Sequence, residues 1–172
     1  MADAAGNDVI RIHGSSTTVA TVLSKKAQPV PTSLAIGPDG ALYIGTLNFE
    51  GGPGAAKVYR LALGAHQATV YAQGLTAITG IAFGPDGKLY VSEWTTGFGK
   101  QGPLPIGDIV AIPKGGGTAG RQVLGKGVLH FPGGVGVDGH GVYVSNWSIA
   151  TGQDGPFGPG NHGQLVRLPL PS

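Results

Sequence analysis

The stretch Ile78-Thr-Gly-Ile-Ala-Phe-Gly-Pro-Asp-Gly-Lys-Leu-Tyr-Val-Ser-Glu93 decides the fold. It reads as strand, tight turn, strand. Proline presets φ for the turn, Asp86 caps it through its own backbone, and Gly87 accepts the positive φ that closes it. The same pattern occurs upstream as Pro31-Thr-Ser-Leu-Ala-Ile-Gly-Pro-Asp-Gly-Ala-Leu-Tyr-Ile-Gly-Thr46. It returns downstream, with a changed turn, as Pro132-Gly-Gly-Val-Gly-Val-Asp-Gly-His-Gly-Val-Tyr-Val-Ser-Asn146. Tyr43, Tyr90 and Tyr143 mark one register, 47 and 53 residues apart.

Working outward, a second pattern lies between the copies: Asn7-Asp-Val-Ile-Arg-Ile12, Ala56-Lys-Val-Tyr-Arg-Leu61, Gly107-Asp-Ile-Val-Ala-Ile112 and Gly163-Gln-Leu-Val-Arg-Leu168. After the first three come a turn and a further apolar run, Thr18 to Leu23, Ala68 to Ala72 and Arg121 to Leu124. The unit is therefore four short strands, with no helix between them. Four-stranded antiparallel units at this period are the signature of β-propeller blades. The predicted fold is all-β, a single partial propeller over residues 1–172, with blade fragments 1–28, 29–75, 76–129 and 130–172. Propellers close at four to eight blades, and about three per chain leave both flanks open. Either the chain is part of a longer protein, or two copies associate to make six blades, or the few blades rearrange into a four-bladed ring; self-association into a homodimer is the expected solution.

Composition narrows the function classes. Glycine and proline make up about a quarter of the 172 residues, a level associated with disorder. The 41% hydrophobic residues, however, fall in short regular runs, which disordered segments lack. Only 12% of residues are charged, net +2, and no basic stripe appears, so nucleic acid is not an expected partner. Lys25-Lys26 is the only adjacent basic pair and reads as a solvated turn. With no cysteine, disulfides, thiolate metal knuckles and thiol nucleophiles are excluded. The first eight residues have neither a basic nor an apolar region, so no signal peptide is read there. No apolar run reaches the length of a membrane span.

The stretches Asp3-Ala-Ala-Gly-Asn-Asp-Val-Ile-Arg-Ile12, Val30-Pro-Thr-Ser-Leu-Ala-Ile-Gly-Pro-Asp-Gly-Ala-Leu-Tyr-Ile-Gly45, Gly80-Ile-Ala-Phe-Gly-Pro-Asp-Gly-Lys-Leu-Tyr-Val91 and Tyr143-Val-Ser-Asn146 resemble the C-terminal half of the ScyD/ScyE family. These are secreted bacterial proteins whose founding members are associated with making the pigment scytonemin. The Pro-Asp-Gly and Leu-Tyr-Val elements are also similar to NHL-repeat and gluconolactonase-like propellers. The resemblance implies a propeller and a secreted or periplasmic setting, and it implies no catalytic residues. Because the family's N-terminal half and export signal have no counterpart here, secretion is not carried over.

Blade geometry selects the functional face. A-B and C-D turns share one end of a blade, and the B-C connections share the other. Those connections, Leu47 to Ala55, Trp94 to Ile106 and Trp147 to His162, are long, and binding concentrates on such loops. At their entrances Thr46, Glu93 and Asn146 align, followed by Leu47, Trp94 and Trp147. Thr46, Glu93, Trp94, Asn146 and Trp147 are the candidate ligand-binding residues, for a small molecule, a glycan or a protein. Trp94 and Trp147 serve either as lids over the blades or as stacking surfaces. The resemblance to gluconolactonase-like propellers implies an alternative, a hydrolase with a divalent cation such as calcium at this mouth. Glu93 and Asn146 would be its ligands, helped by Glu50, Asp154 or a second chain, since hard cations take carboxylate and amide oxygens. The primary reading needs no cofactor. The five histidines are scattered without metal-binding spacing, no Gly-x-Ser-x-Gly elbow occurs, and Gly115 to Gly120 opens no helix that could cradle phosphate.

Overall fold

The computed structural model describes residues 1–24, 28–100, 102–151 and 162–171. The first sheet comprises β1 (Ala2–Asp3), β2 (Asp8–His13) and β3 (Ser16–Val22). The second comprises β4 (Pro31–Ile36), β5 (Leu42–Thr46), β6 (Ala56–Leu61) and β7 (Thr69–Leu75). The third begins with β8 (Ile78–Phe83) and β9 (Leu89–Glu93). A small hairpin, β10 (Phe98–Gly99) with β11 (Gly102–Pro103), interrupts it before β12 (Asp108–Ile112) and β13 (Gln122–Leu124). The fourth comprises β14 (Val135–Asp138), β15 (Gly141–Thr151) and β16 (His162–Leu168). Every pairing is antiparallel between neighbours in sequence or across the inserted hairpin. This is the expected all-β partial propeller, with two four-stranded blades between two three-stranded ones.

The repeat owes its regularity to one turn device. Asp39 Oδ1 accepts the Ala41 N–H at 3.2 Å while its Oδ2 accepts the Tyr43 hydroxyl at 3.2 Å. Asp86 does the same for Lys88 N–H (3.1 Å) and the Tyr90 hydroxyl (2.9 Å). The residue before each Pro-Asp-Gly must be glycine because the tyrosine ring folds back over it. A Cβ on Gly84 would lie 2.7 Å from Tyr90 Cε2. The aspartate, the glycine and the tyrosine that recur in the sequence are thus one contact made twice.

Apolar side chains on both faces of the strands glue the blades together. Leu42, Ile44 and Leu61 of the second sheet meet Val9 and Ala20 of the first. On its other face Tyr43, Val58 and Ala72 meet Ile81, Leu89, Val91, Val110 and Ile112 of the third. Tyr90, Ile109 and Ala111 then meet Val142, Val144 and Leu168 of the fourth. Each such fully buried aliphatic side chain contributes about 1.5–3 kcal/mol. Hydroxyls bridge the blades as well: Thr32 Oγ1 donates to Ile78 O at 2.7 Å, and Thr79 Oγ1 donates to Pro132 O at 2.9 Å.

The connections differ from expectation in four places. A single 3-10 turn, Phe49–Gly51, stands in the first long loop. The second long loop carries the β10–β11 hairpin, pinned where Thr95 Oγ1 donates to Gly97 O and Leu104 O. β1 adds a short strand at the start. β15 runs on to Thr151, where a loop from Trp147 was expected, because Thr151 pairs with His162 after a register break beyond Asn146. Lys25, Lys26 and Asp154 lie outside the described residues.

Candidate ligand-binding face

All the long B-C connections leave from one end of the array, and the three polar residues at their entrances are buried: Thr46 1%, Glu93 8% and Asn146 3% exposed. Their hydrogen bonds stay within their own blades. Thr46 Oγ1 donates to Lys57 O and accepts the Lys57 N–H, which ties β5 to β6. Asn146 Oδ1 accepts the His130 N–H at 2.6 Å, and its Nδ2 donates to Gln164 Oε1 at 3.4 Å. Glu93 Oε1 accepts the Thr76 N–H. Equivalent residues therefore act as struts between a strand end and the linker or strand beside it, and Glu93 and Asn146 are held in separate blades.

Glu93 has a second neighbour that the sequence reading missed. Asp108, in register with it on β12, is 7% exposed. Burial first, and then the Asp108 charge, pushes the Glu93 carboxyl up to about 8, against the Thr76 N–H and the more distant Arg121. Burial also raises Asp108, opposed by Glu93 as hydrogen-bond partner and by Lys126. Asp108 Oδ1 has no hydrogen-bond partner. The signal was present in Gly107-Asp108-Ile109, but only the cross-strand register turns it into a pair. Among the described residues no group of three or more His, Asp or Glu side chains could hold a metal ion. Glu50 sits exposed on the 3-10 turn.

The aromatic residues do converge. Phe98 meets Phe49 edge to face at 4.7 Å, Phe49 lies 6.0 Å from Trp94, and Trp94 packs on Phe131 at 4.6 Å. One residue along the chain, His130 stacks on Trp147 at 4.4 Å with an interplanar angle of 5°. The run crosses three blades. Trp94 thus packs on the blade tops and also continues a surface of rings, with Phe49 38% exposed. The charged residues of loops 47–55 and 94–106 are Glu50 and Lys100 alone. Phe49, Phe98 and Phe131 escaped sequence reasoning because they lie on loops, where no periodicity flags them.

The backbone beneath this surface repeats an unusual conformation. Val30 and Ala77, immediately before β4 and β8, and Phe131, at the equivalent place shortly before β14, have φ of 52°, 44° and 44°. Left-handed backbone costs a residue with a Cβ about 1–2 kcal/mol. Here it turns a carbonyl toward the next loop: Leu47 N–H donates to Val30 O, Trp94 N–H to Ala77 O and Ser148 N–H to Phe131 O, at 2.9, 3.0 and 3.2 Å. The first residues of each long loop are thereby clipped to the linker of their own blade.

Two solved structures share this architecture. One, reported as a gluconolactonase candidate, superposes with TM-score 0.58 at 16% identity, over 84% of this chain and 52% of its own. The other, the calcium-binding protein regucalcin from Agrobacterium tumefaciens strain C58, gives TM-score 0.54 at 20% identity, over 78% and 44%. The chain spans about half the length of these structures, and at such identities the likeness concerns the fold. None of the curated proteins matches it. Residues 3–97, more than half of the chain, match the sequence profile of the SMP-30/Gluconolactonase/LRE-like region. On that match the chain belongs to the SMP-30/gluconolactonase/LRE-like family.

Proposed function

We propose that the protein is a binding module whose long-loop face takes a small molecule bearing a planar aromatic or sugar ring. The observation that carries this reading is the run of rings Phe98, Phe49 and Trp94, seated on the buried Phe131 and followed by the His130–Trp147 stack. Rings of this kind on a sparsely charged surface favour stacking over ion pairing. The likeness to the ScyD/ScyE proteins supports it, since their setting is an aromatic pigment. Titration calorimetry with 2-naphthol and with cellotriose tests the reading. Saturable binding of at least one probe, weakened tenfold or more in Trp94→Ala/Trp147→Ala at unchanged circular dichroism, is expected. Absence of binding by both, or binding unaffected by the double change, overturns it.

The family and the calcium-binding structure of the same fold support a second reading, divalent-cation-dependent lactone hydrolysis. Glu93 and Asn146 hold equivalent positions at strand ends of neighbouring blades and are the cation ligands that this reading proposes. Asp108, beside Glu93 and with an Oδ1 that has no hydrogen-bond partner, adds a carboxylate to that donor set, and calcium would serve there to polarise a carbonyl oxygen. Calcium-dependent hydrolysis of gluconolactone that disappears in Glu93→Gln would establish this reading. Hydrolysis absent at every calcium concentration would remove it.

A further inference from the structure

The junction between the second and third sheets opens, at the end opposite the long loops, into a cleft of about 410 Å³. Pockets for small molecules fall in the range of about 300–1,000 Å³. Both sheets that line it are complete four-stranded blades inside the array. Tyr71 and Phe83 supply aromatic lining, each packed edge to face on the buried Tyr43, at centroid distances of 4.9 and 4.7 Å. Arg60, Lys114 and Asp39 are the charged residues that line it.

The repeat separates what serves the fold from what does not. The turn aspartate and tyrosine recur in the third sheet as Asp86 and Tyr90, but four residues around the cleft do not recur. Arg60, opposite Tyr43, gives way to Ala111, opposite Tyr90. Phe83, opposite Leu89, gives way to Val137, opposite Val142. Lys114, two residues past Ile112, corresponds to Leu63, two past Leu61. Tyr71 is the extra residue of a bulge, between Val70 opposite Tyr59 and Ala72 opposite Val58, and bulges re-aim side chains. Its hydroxyl crosses to the third blade, donating to Pro113 O at 3.4 Å. Asp39 does not exhaust the positive charge. Arg60 Nε and Nη2 both meet Asp39 Oδ2, at 2.8 and 2.7 Å, and a guanidinium has further N–H donors to give. Among the described residues Lys114, on an exposed turn, has no ion-pair partner.

We propose that this cleft binds a small aromatic carboxylate, its ring against Tyr71 and Phe83 and its carboxylate held by Arg60 and Lys114. The aromatic lining takes the ring, and the planar guanidinium fork matches the carboxylate. The site lies at the other end of the blades from the ring surface of Trp94 and Trp147 and does not depend on it.

Titration calorimetry with 2-naphthoate tests this, on the parent and on the Trp94→Ala/Trp147→Ala protein, in which the long-loop face is silenced. Saturable binding of equal affinity is expected in both. In the second protein 2-naphthol, which lacks the carboxylate, should bind about tenfold more weakly or worse, the worth of a charge-assisted hydrogen bond. Lys114→Gln should weaken 2-naphthoate about threefold, as an exposed ion pair does. Arg60→Gln/Lys114→Gln should weaken it about tenfold or more at unchanged circular dichroism. Absence of 2-naphthoate binding overturns the proposal, and so do equal affinities for the two probes or affinity that survives both the single and the double change. Binding lost in Trp94→Ala/Trp147→Ala also overturns it, and leaves the long-loop reading standing.

Discussion

Glu93 and Asp108 face each other across β9 and β12, both buried; Glu93 Oε1 accepts the Thr76 N–H, and Asp108 Oδ1 has no hydrogen-bond partner. Two ionised carboxylates at such a place would repel, so the pair keeps a proton that water would take. Glu93 titrates near pH 8 in the folded chain and near 4.5 when unfolded. The stability it supplies is complete below pH 4.5 and is lost as pH rises through about 8. The Tm of the parent should fall across that window. Glu93→Gln, which removes the charge and keeps the shape, should flatten the fall and raise Tm at pH 8, through a gain in unfolding free energy on the order of a few kcal/mol. A parent Tm that climbs from pH 5 to pH 8 would contradict the paired-carboxylate account.

The turn device predicts a size-dependent penalty. In Gly84→Ala the new methyl group meets the Tyr90 ring at 2.7 Å and Asp86 Oδ1 at 2.6 Å, and overpacking of this kind costs about 1–3 kcal/mol. Adding Tyr90→Leu, which shrinks the ring's footprint, should recover part of the loss in urea unfolding. If the double variant is as unstable as the sum of the single changes, the ring is not the obstacle.

Between blades, Thr79→Val keeps the shape but removes the hydroxyl that bridges to Pro132 O and Gly133 O. Leaving a half-buried carbonyl without its donor costs about 1–3 kcal/mol, here toward the low end, because Thr79 is only partly covered. Thr79→Ser should be near neutral by the same measurement. A loss in Thr79→Ser with none in Thr79→Val would assign the effect to the methyl group.

Asn146→Ala strips the His130 N–H of its acceptor. Amide exchange at His130 should accelerate, and the change should spread to Trp147, whose N–H donates to His130 O at 2.7 Å. Protection of both amides at the parental level would show that the strut is dispensable.

How much of this was legible beforehand depends on whether the physics is local. Strands, turns and blade count followed from Pro38-Asp39-Gly40, Pro85-Asp86-Gly87 and the spaced tyrosines, because turn chemistry and strand alternation act over a few residues. The end of the array that carries the long loops followed from antiparallel geometry. Glu93 was singled out, but its partner Asp108 was not, since fifteen residues and an inserted hairpin separate them. The ring surface was half visible, through Trp94 and Trp147. Phe49 and Phe98 join it, and Phe131 supports Trp94 from beneath, only by tertiary placement. The left-handed residues Val30, Ala77 and Phe131 left no trace in composition, because valine, alanine and phenylalanine do not advertise a conformation that glycine or asparagine would signal.

That bend recurs at the equivalent point of three blades, and at Val30 and Ala77 with the same carbonyl clip beyond it, so the stretch between these two reads as an interchangeable cassette. Excising residues 31–77 would join Val30 to Ile78, and Val30 would inherit the position of Ala77. Val9, the counterpart of Val58, would then meet the face that Val58 covers now. A shortened chain built this way should fold with its remaining junctions intact, which is the route by which blade number can change during gene duplication without redesign of any interface.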